Sequence, residues 1–166
     1  MSIVVQETFE KYFDELNCEA KFADDQIPTY HTDRNDEPDK EETTGPYIKT
    51  FVIEQDYNEV ADTIKTRSTT TGQVFEESGQ IGFQIFIDIG FGDKDLYLGK
   101  QIRDAIKRYF VRLDLDTDDN NFVNFQDALI RQPIEIPRLN KSKGYGQIND
   151  WRRLDMFINY FHKGTY

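Results

Sequence analysis

Cysteine is almost absent from this chain: Cys18 stands alone in 166 residues, so no disulfide can close within it. Histidine is nearly as scarce. His31 falls in a presumed loop and His162 at the chain end, and neither has a cysteine or an acid at metal-ligand spacing. Basic charge is short too, since 20 Lys and Arg against 31 Asp and Glu leave a net charge of −11, a surface that repels a phosphate backbone. The most apolar run, Ile81–Phe91, is broken by Gln84 and Asp88 and falls short of the roughly 18 to 20 apolar residues a membrane helix needs. The opening MSIVVQETFEKY lacks the basic segment and long apolar stretch of a secretory signal. These absences predict a soluble protein that folds in a reducing compartment. They predict no metal, no cofactor and no membrane or ordinary nucleic-acid binding. A length of 166 residues suits one domain, 1–166, with one core.

The charge that is present is unevenly placed. Residues 1–60 hold sixteen acids and five bases, while residues 61–166 hold fifteen of each, so the whole imbalance lies in the first third. It is densest over Asp24–Glu42, where eight acids meet only Arg34 and Lys40. With two prolines and almost no aliphatic side chains, this stretch predicts a long, solvated, mobile loop over 23–46. Such a loop is either a plain polar surface or a functional rim.

Periodicity supplies the elements. Val5, Phe9, Tyr12, Phe13 and Leu16 recur at helical spacing over Ile3–Leu16. Tyr47–Glu54 predicts a strand, and Thr63–Thr71 a weak, exposed or edge strand. Gln80–Ile89 is the strongest strand: Ile81, Phe83, Ile85, Ile87 and Ile89 point one way, and Gly82, Gln84, Phe86 and Asp88 the other. A turn at Gly90–Asp93 hands over to a helix from about Lys94 to Val111, striped by Leu98, Ile102, Ala105, Ile106 and Tyr109. Asp114–Asn121 predicts a loop, Phe122–Arg131 and Ile134–Ile136 two strands parted by Pro133, and Arg138–Gln147 a basic loop at 138–147. Asp150–Phe161 predicts a long strand with Leu154, Met156, Ile158 and Tyr160 on a dry face. Without a repeated βαβ unit, the order predicts an α+β fold: a mixed or antiparallel sheet with two main helices on one face and the acidic loop after the first helix.

Chemistry is hard to find. Asp114, Asp116 and Asp118 match the start of a calcium loop, but Asp119 stands where that loop needs Gly and Phe125 where it needs a bidentate Glu. Gly99-Lys100 lacks the Gly five residues earlier and the hydroxyl that follow from a phosphate loop. Cys18 has no activating neighbour, which makes it a small packing residue. The sequence therefore predicts no catalytic residues and no enzyme. What stands out is aromatic content, with 13 Phe, nine Tyr and one Trp. Phe86 beside Asp88, and Phe157 and Phe161 beside Arg153, lie opposite the aliphatic rows of their strands. They suit either a protein interface or a second small core.

The chain runs GQIGFQIFIDI from Gly79, then GFGD from Gly90, then a helix ending in Tyr109-Phe110. A strand near Phe122–Ala128 and a closing strand from Trp151-Arg152-Arg153 to Ile158-Asn159-Tyr160-Phe161 complete the order. Over roughly residues 73–162 this resembles the tail terminator family of long-tailed bacteriophages, the lambda-type ring proteins that cap a finished tail tube. The resemblance implies a non-catalytic virion protein of the tail or neck, assembled in the host cytoplasm. It would form a homo-hexameric ring that stops tube polymerisation, presents a head–tail joining surface, and lets DNA pass without gripping it. The implied partners are further copies of the chain, the tail tube protein and the head–tail connector protein. Head-completion or neck proteins of the same fold family are the nearest alternative; an acidic DNA-mimic inhibitor and a hydrolase with paired acids are more distant ones. On this reading Gln80–Ile89 and Asp150–Phe161 shape the subunit contact. Its expected residues are Phe86, Asp88, Phe91, Trp151, Arg153, Phe157 and Phe161. Asp24, Asp25, Asp33, Asp36, Glu37, Asp39, Glu41 and Glu42 would line or rim the channel.

Overall fold

The computed structural model describes residues 3–32, 46–60, 74–88, 93–117, 121–136 and 151–165. Two helices, α1 (Ile3–Cys18) and α2 (Asp93–Phe110), accompany strands β1 (Thr29–His31), β2 (Tyr47–Val60), β3 (Val74–Asp88), β4 (Asp114–Asp116), β5 (Phe122–Ile130), β6 (Ile134–Ile136) and β7 (Trp151–Thr165). The strands form one mixed sheet in the order β1-β2-β3-β7-β5-β4, with β6 also paired to β7. β1 runs parallel to β2 and the other pairs are antiparallel. The fold is thus α+β. No helix among the described residues is long and apolar enough to cross a membrane.

The centre of the sheet is β3, flanked by β2 and β7. Side chains alternate along a strand, so its odd-numbered residues share one face. Ile81, Phe83, Ile85 and Ile87 are buried there beside Leu154, Met156, Ile158 and Tyr160 of β7. α1 adds Val5, Phe9, Phe13 and Leu16 to this core, and α2 adds Ile102, Ile106 and Phe110. Phe9, Phe13, Phe83 and Phe110 form a ring cluster with centroids 5.5 to 6.1 Å apart, which joins both helices to the central strand. Gly99 lets α2 approach closely, because a Cβ there would collide with Ile87 of β3. That close approach is its role; it belongs to no phosphate loop.

Several expectations need correction. Residues Thr29–His31, inside the expected acidic loop, form β1, because Tyr30 and His31 can pair with and pack on β2. Asp114–Asp116 forms β4 instead of loop, held by pairing to β5 and by the Phe125 N–H donating to the Leu113 carbonyl. β2 and β7 run well past Glu54 and Phe161, since their partner β3 is fifteen residues long. The expected strand Thr63–Thr71, the loop Arg138–Gln147 and most of 23–46 lie outside the described residues.

The far edge is irregular. Phe125 pairs with Tyr160 but Ala128 with Ile158, so one extra residue bulges from β5. A second extra residue separates Ile130, opposite Met156, from Ile134, opposite Arg153; Pro133 lies in this jog. Bulges and proline are the devices by which sheets keep an edge from pairing with foreign strands. Ile106 has no exposure beneath α2. Ile106→Ala should therefore cost about 2 to 4 kcal/mol in urea unfolding while leaving the far-ultraviolet circular dichroism unchanged.

Candidate functional site

The face of the sheet away from the helices is the candidate. Antiparallel register aligns its side chains in rows: Tyr47, Phe86, Arg153 and Ile134 in one, Phe51, Gly82, Phe157 and Leu129 in another. A Cβ at Gly82 would strike the Phe51 ring, so glycine there lets Phe51 lie down over β3. Phe51 then meets Phe157 edge to face, with centroids 5.9 Å apart. Toward the β5–β6 side the rows open to solvent: Leu129 is 47% exposed and Ile134 44%. Phe122, opposite Lys163, is 53% exposed. Neighbouring exposed apolar side chains on one face mark an interaction surface more than isolated ones do.

At the β2 side the same face closes on itself. Phe86 is only 8% exposed and stacks on Tyr47, with centroids 4.5 Å apart and planes within 7°. Tyr30 packs edge-on against Tyr47, and the Lys49 ammonium lies 5.7 Å above the Phe86 ring. Phe86 thus belongs to a small second core, whereas Phe157 and Phe161 are half-buried. Arg153 pairs with Asp155 two residues on: its Nη2 donates to Oδ2 at 3.0 Å, and Nε lies 2.8 Å from Oδ1. Asp88 lies opposite Trp151 in register, and the side chains of both fall outside the described ones, as does the whole of Phe91. Asp24 and Asp25 are exposed after α1; Asp33, Asp36, Glu37, Asp39, Glu41 and Glu42 lie outside the described residues.

His31, expected in a loop, and His162, expected at the chain end without an acidic partner, both lie in strands. His31 is buried in β1, with Nδ1 2.6 Å from Thr50 Oγ1 and Nε2 2.9 Å from Asp14 Oδ1. Thr, His and Asp in a chain suggest an activated nucleophile, but Thr50 is only 2% exposed on β2. The arrangement ties α1 to the sheet edge. Asn17 adds to this by donating to the Ile27 carbonyl and accepting from the Ile27 N–H. Beside it lies an open groove of about 750 Å³ lined by Asp14, Asn17, Gln26, Thr29 and His31. Cys18, expected to pack, is exposed on the last turn of α1, because Leu16 and Asn17 take the inward positions.

His162 sits inside β7, fully buried, directly opposite Glu77 of β3 and 2.8 Å from its carboxylate. Phe75 meets the imidazole edge-on at 5.7 Å. Burial, then the Glu77 and Glu54 carboxylates, hold the neighbouring Tyr160 phenol well above its ordinary ionisation range. The strand's own alternation could have revealed this pair. His162 continues the inward series Leu154, Met156, Ile158, Tyr160, and Glu77 continues the odd-numbered series of β3.

No protein-family model and no curated protein sequence matches the chain. Two solved structures share its fold over nearly its whole length. One aligns at a TM-score of 0.58 and 13% identity, covering 95% of this chain and 92% of its own. The other, from the virion of a native gene transfer agent particle, aligns at 0.51 and 16% identity, covering 97% and 96%.

Two outcomes follow from the buried cluster. His162→Ala leaves Glu77 without its partner, and should cost about 3 to 5 kcal/mol by urea unfolding. Because the folded state raises the Tyr160 ionisation, its stabilising effect is complete below about pH 10, the unfolded value, and is lost as pH rises beyond it. Tyr160→Phe should make the alkaline loss of stability shallower, as read from melting temperatures between about pH 9 and 11.

Proposed function

We propose that this chain is a structural protein of a phage-like virion, and that its role is that of a tail terminator. Copies form a homo-hexameric ring that caps the tail tube, halts its growth and offers a surface to the head–tail connector. The observation that carries this reading is the helix-free sheet face, where Phe157 and Phe161 lead to the exposed Leu129, Ile134 and Phe122. The likeness in fold to a chain of a gene transfer agent virion supports it. No catalytic step is assigned to the chain, and its acidic character suits a ring that DNA passes without being held.

The protected edge of β5 and β6 favours contact through this face over strand addition. Phe157 is the apolar anchor, and Arg153, already paired with Asp155, contributes planar contact area and a fixed charge at the rim. Asp24, Asp25 and the remainder of the acidic segment belong to the channel or its rim on this reading.

Light scattering after size exclusion tests it. A species near six times 19.6 kDa, alone or on contact with tube protein, is the expected result. Phe157→Asp should give a folded monomer with unchanged circular dichroism. A ring unaffected by that substitution would refute the assignment of the face. A ring that binds the connector yet leaves tube growth unchecked would move the role to a neck or head-completion protein.

A further inference from the structure

The outward faces of the two helices carry matching charge patterns of opposite sign. On α1, Glu7, Lys11 and Glu15 are exposed at successive i+4 positions and read minus, plus, minus. On α2, Lys100, Asp104 and Arg108 are exposed at the same spacing and read plus, minus, plus. Residues four apart lie on one side of a helix, so each triplet forms a slightly inclined column rising about 12 Å along the axis. Asp14 and Lys107, also exposed, reinforce the dominant sign of each column. Among the described residues no ion pair joins one column to the other; Asp104 is engaged only by Arg103, its neighbour, at 3.1 Å.

Beside the α1 column runs a groove of about 470 Å³ between that helix and β4, lined by Glu7, Lys11, Tyr12, Glu15 and Leu115. Each column also begins with an exposed apolar side chain. Ile3, four residues before Glu7, is 62% exposed, and Tyr97, three before Lys100, is 66% exposed. A parallel alignment of the columns brings these two together.

We infer that α2 of one copy docks on the outer face of α1 of the next copy, column against column. The occupant is a second copy because the complementary column is carried by the chain itself, on a different element. Two unlike patches of this kind make a head-to-tail contact, which closes into a ring when the rotation permits. The inference rests on the ring reading and adds to it a charged contact distinct from the apolar sheet face, and this contact makes assembly depend on salt. Columns of exposed charges are too weak to hold copies together alone, so loss of the sheet contact still yields monomers.

Pairs of unlike charge four apart also steady an isolated helix, and the test separates that role. Lys100→Glu, Asp104→Lys and Arg108→Glu made together keep unlike charges along α2 but invert its column. Glu7→Lys, Lys11→Glu and Glu15→Lys do the same on α1. Light scattering over a concentration series, at low and high salt, is the readout, and circular dichroism verifies the fold. Either inversion alone should raise the concentration for half-assembly at least tenfold, and both inversions in one chain should restore it. Assembly of the natural chain should also weaken with salt. Single inversions that assemble like the natural chain, or a double inversion that does no better than either single one, would overturn the docking while the ring stands. A natural chain that stays monomeric with tube protein present would remove the ring reading itself.

Discussion

The structure depends on one pairing. β3 and β7 lie antiparallel over fifteen successive residue pairs, from Val74 opposite Thr165 to Asp88 opposite Trp151. Strict alternation along so long a ladder commits both strands at once, because a slip of one residue would turn every inward side chain outward. From Ile81 to Ile87 and from Leu154 to Ile158 the inward series is all Ile, Phe, Leu and Met, and α1 and α2 cover it. The outward series inherits Phe86, Phe157 and Phe161 with no helix to cover them. Phe86 is sheltered by Tyr47, while the β5–β6 side stays open. The candidate site is thus a by-product of the ladder that builds the core.

Among the described residues, two paired clusters bring polar groups into that core. Glu77 and His162 face each other across the ladder, and Tyr160 lies on the same face two residues before His162. His31 joins Thr50 and Asp14 at the opposite flank. In both places the partner comes from a distant part of the sequence, so alternation can point Glu77 and His162 inward but cannot show which groups meet. Burial of an imidazole is acceptable when a carboxylate or hydroxyl lies within hydrogen-bond reach.

The two helices, the central strand and the dry face of β7 were legible in sequence because each is periodic over ten or more residues. Which strand pairs with Gln80–Ile89, and in what register, does not follow from alternation within either strand. The three-residue strands β1 and β4 were not, since Thr-Tyr-His and Asp-Leu-Asp hold their places only through pairing with β2 and β5. On the outer face, parity placed Phe157 and Arg153 correctly. It could not foresee that Tyr47 would seal Phe86, because that depends on cross-strand register with β2. The exposed Leu129 and Ile134 went unremarked because the bulges of β5 and the jog at Pro133 shift the parity of that edge.

The central claim is that the helix-free sheet face becomes buried when copies assemble. Residue-level oxidative footprinting of the dilute and the assembled protein tests it most directly, since Phe, Leu and Ile side chains report their own solvent contact. The account predicts strong protection of Phe122, Leu129, Ile134 and Phe157 on assembly, with Ile106 unreactive in both states. Assembly that leaves those four side chains as reactive as in the dilute protein would contradict it.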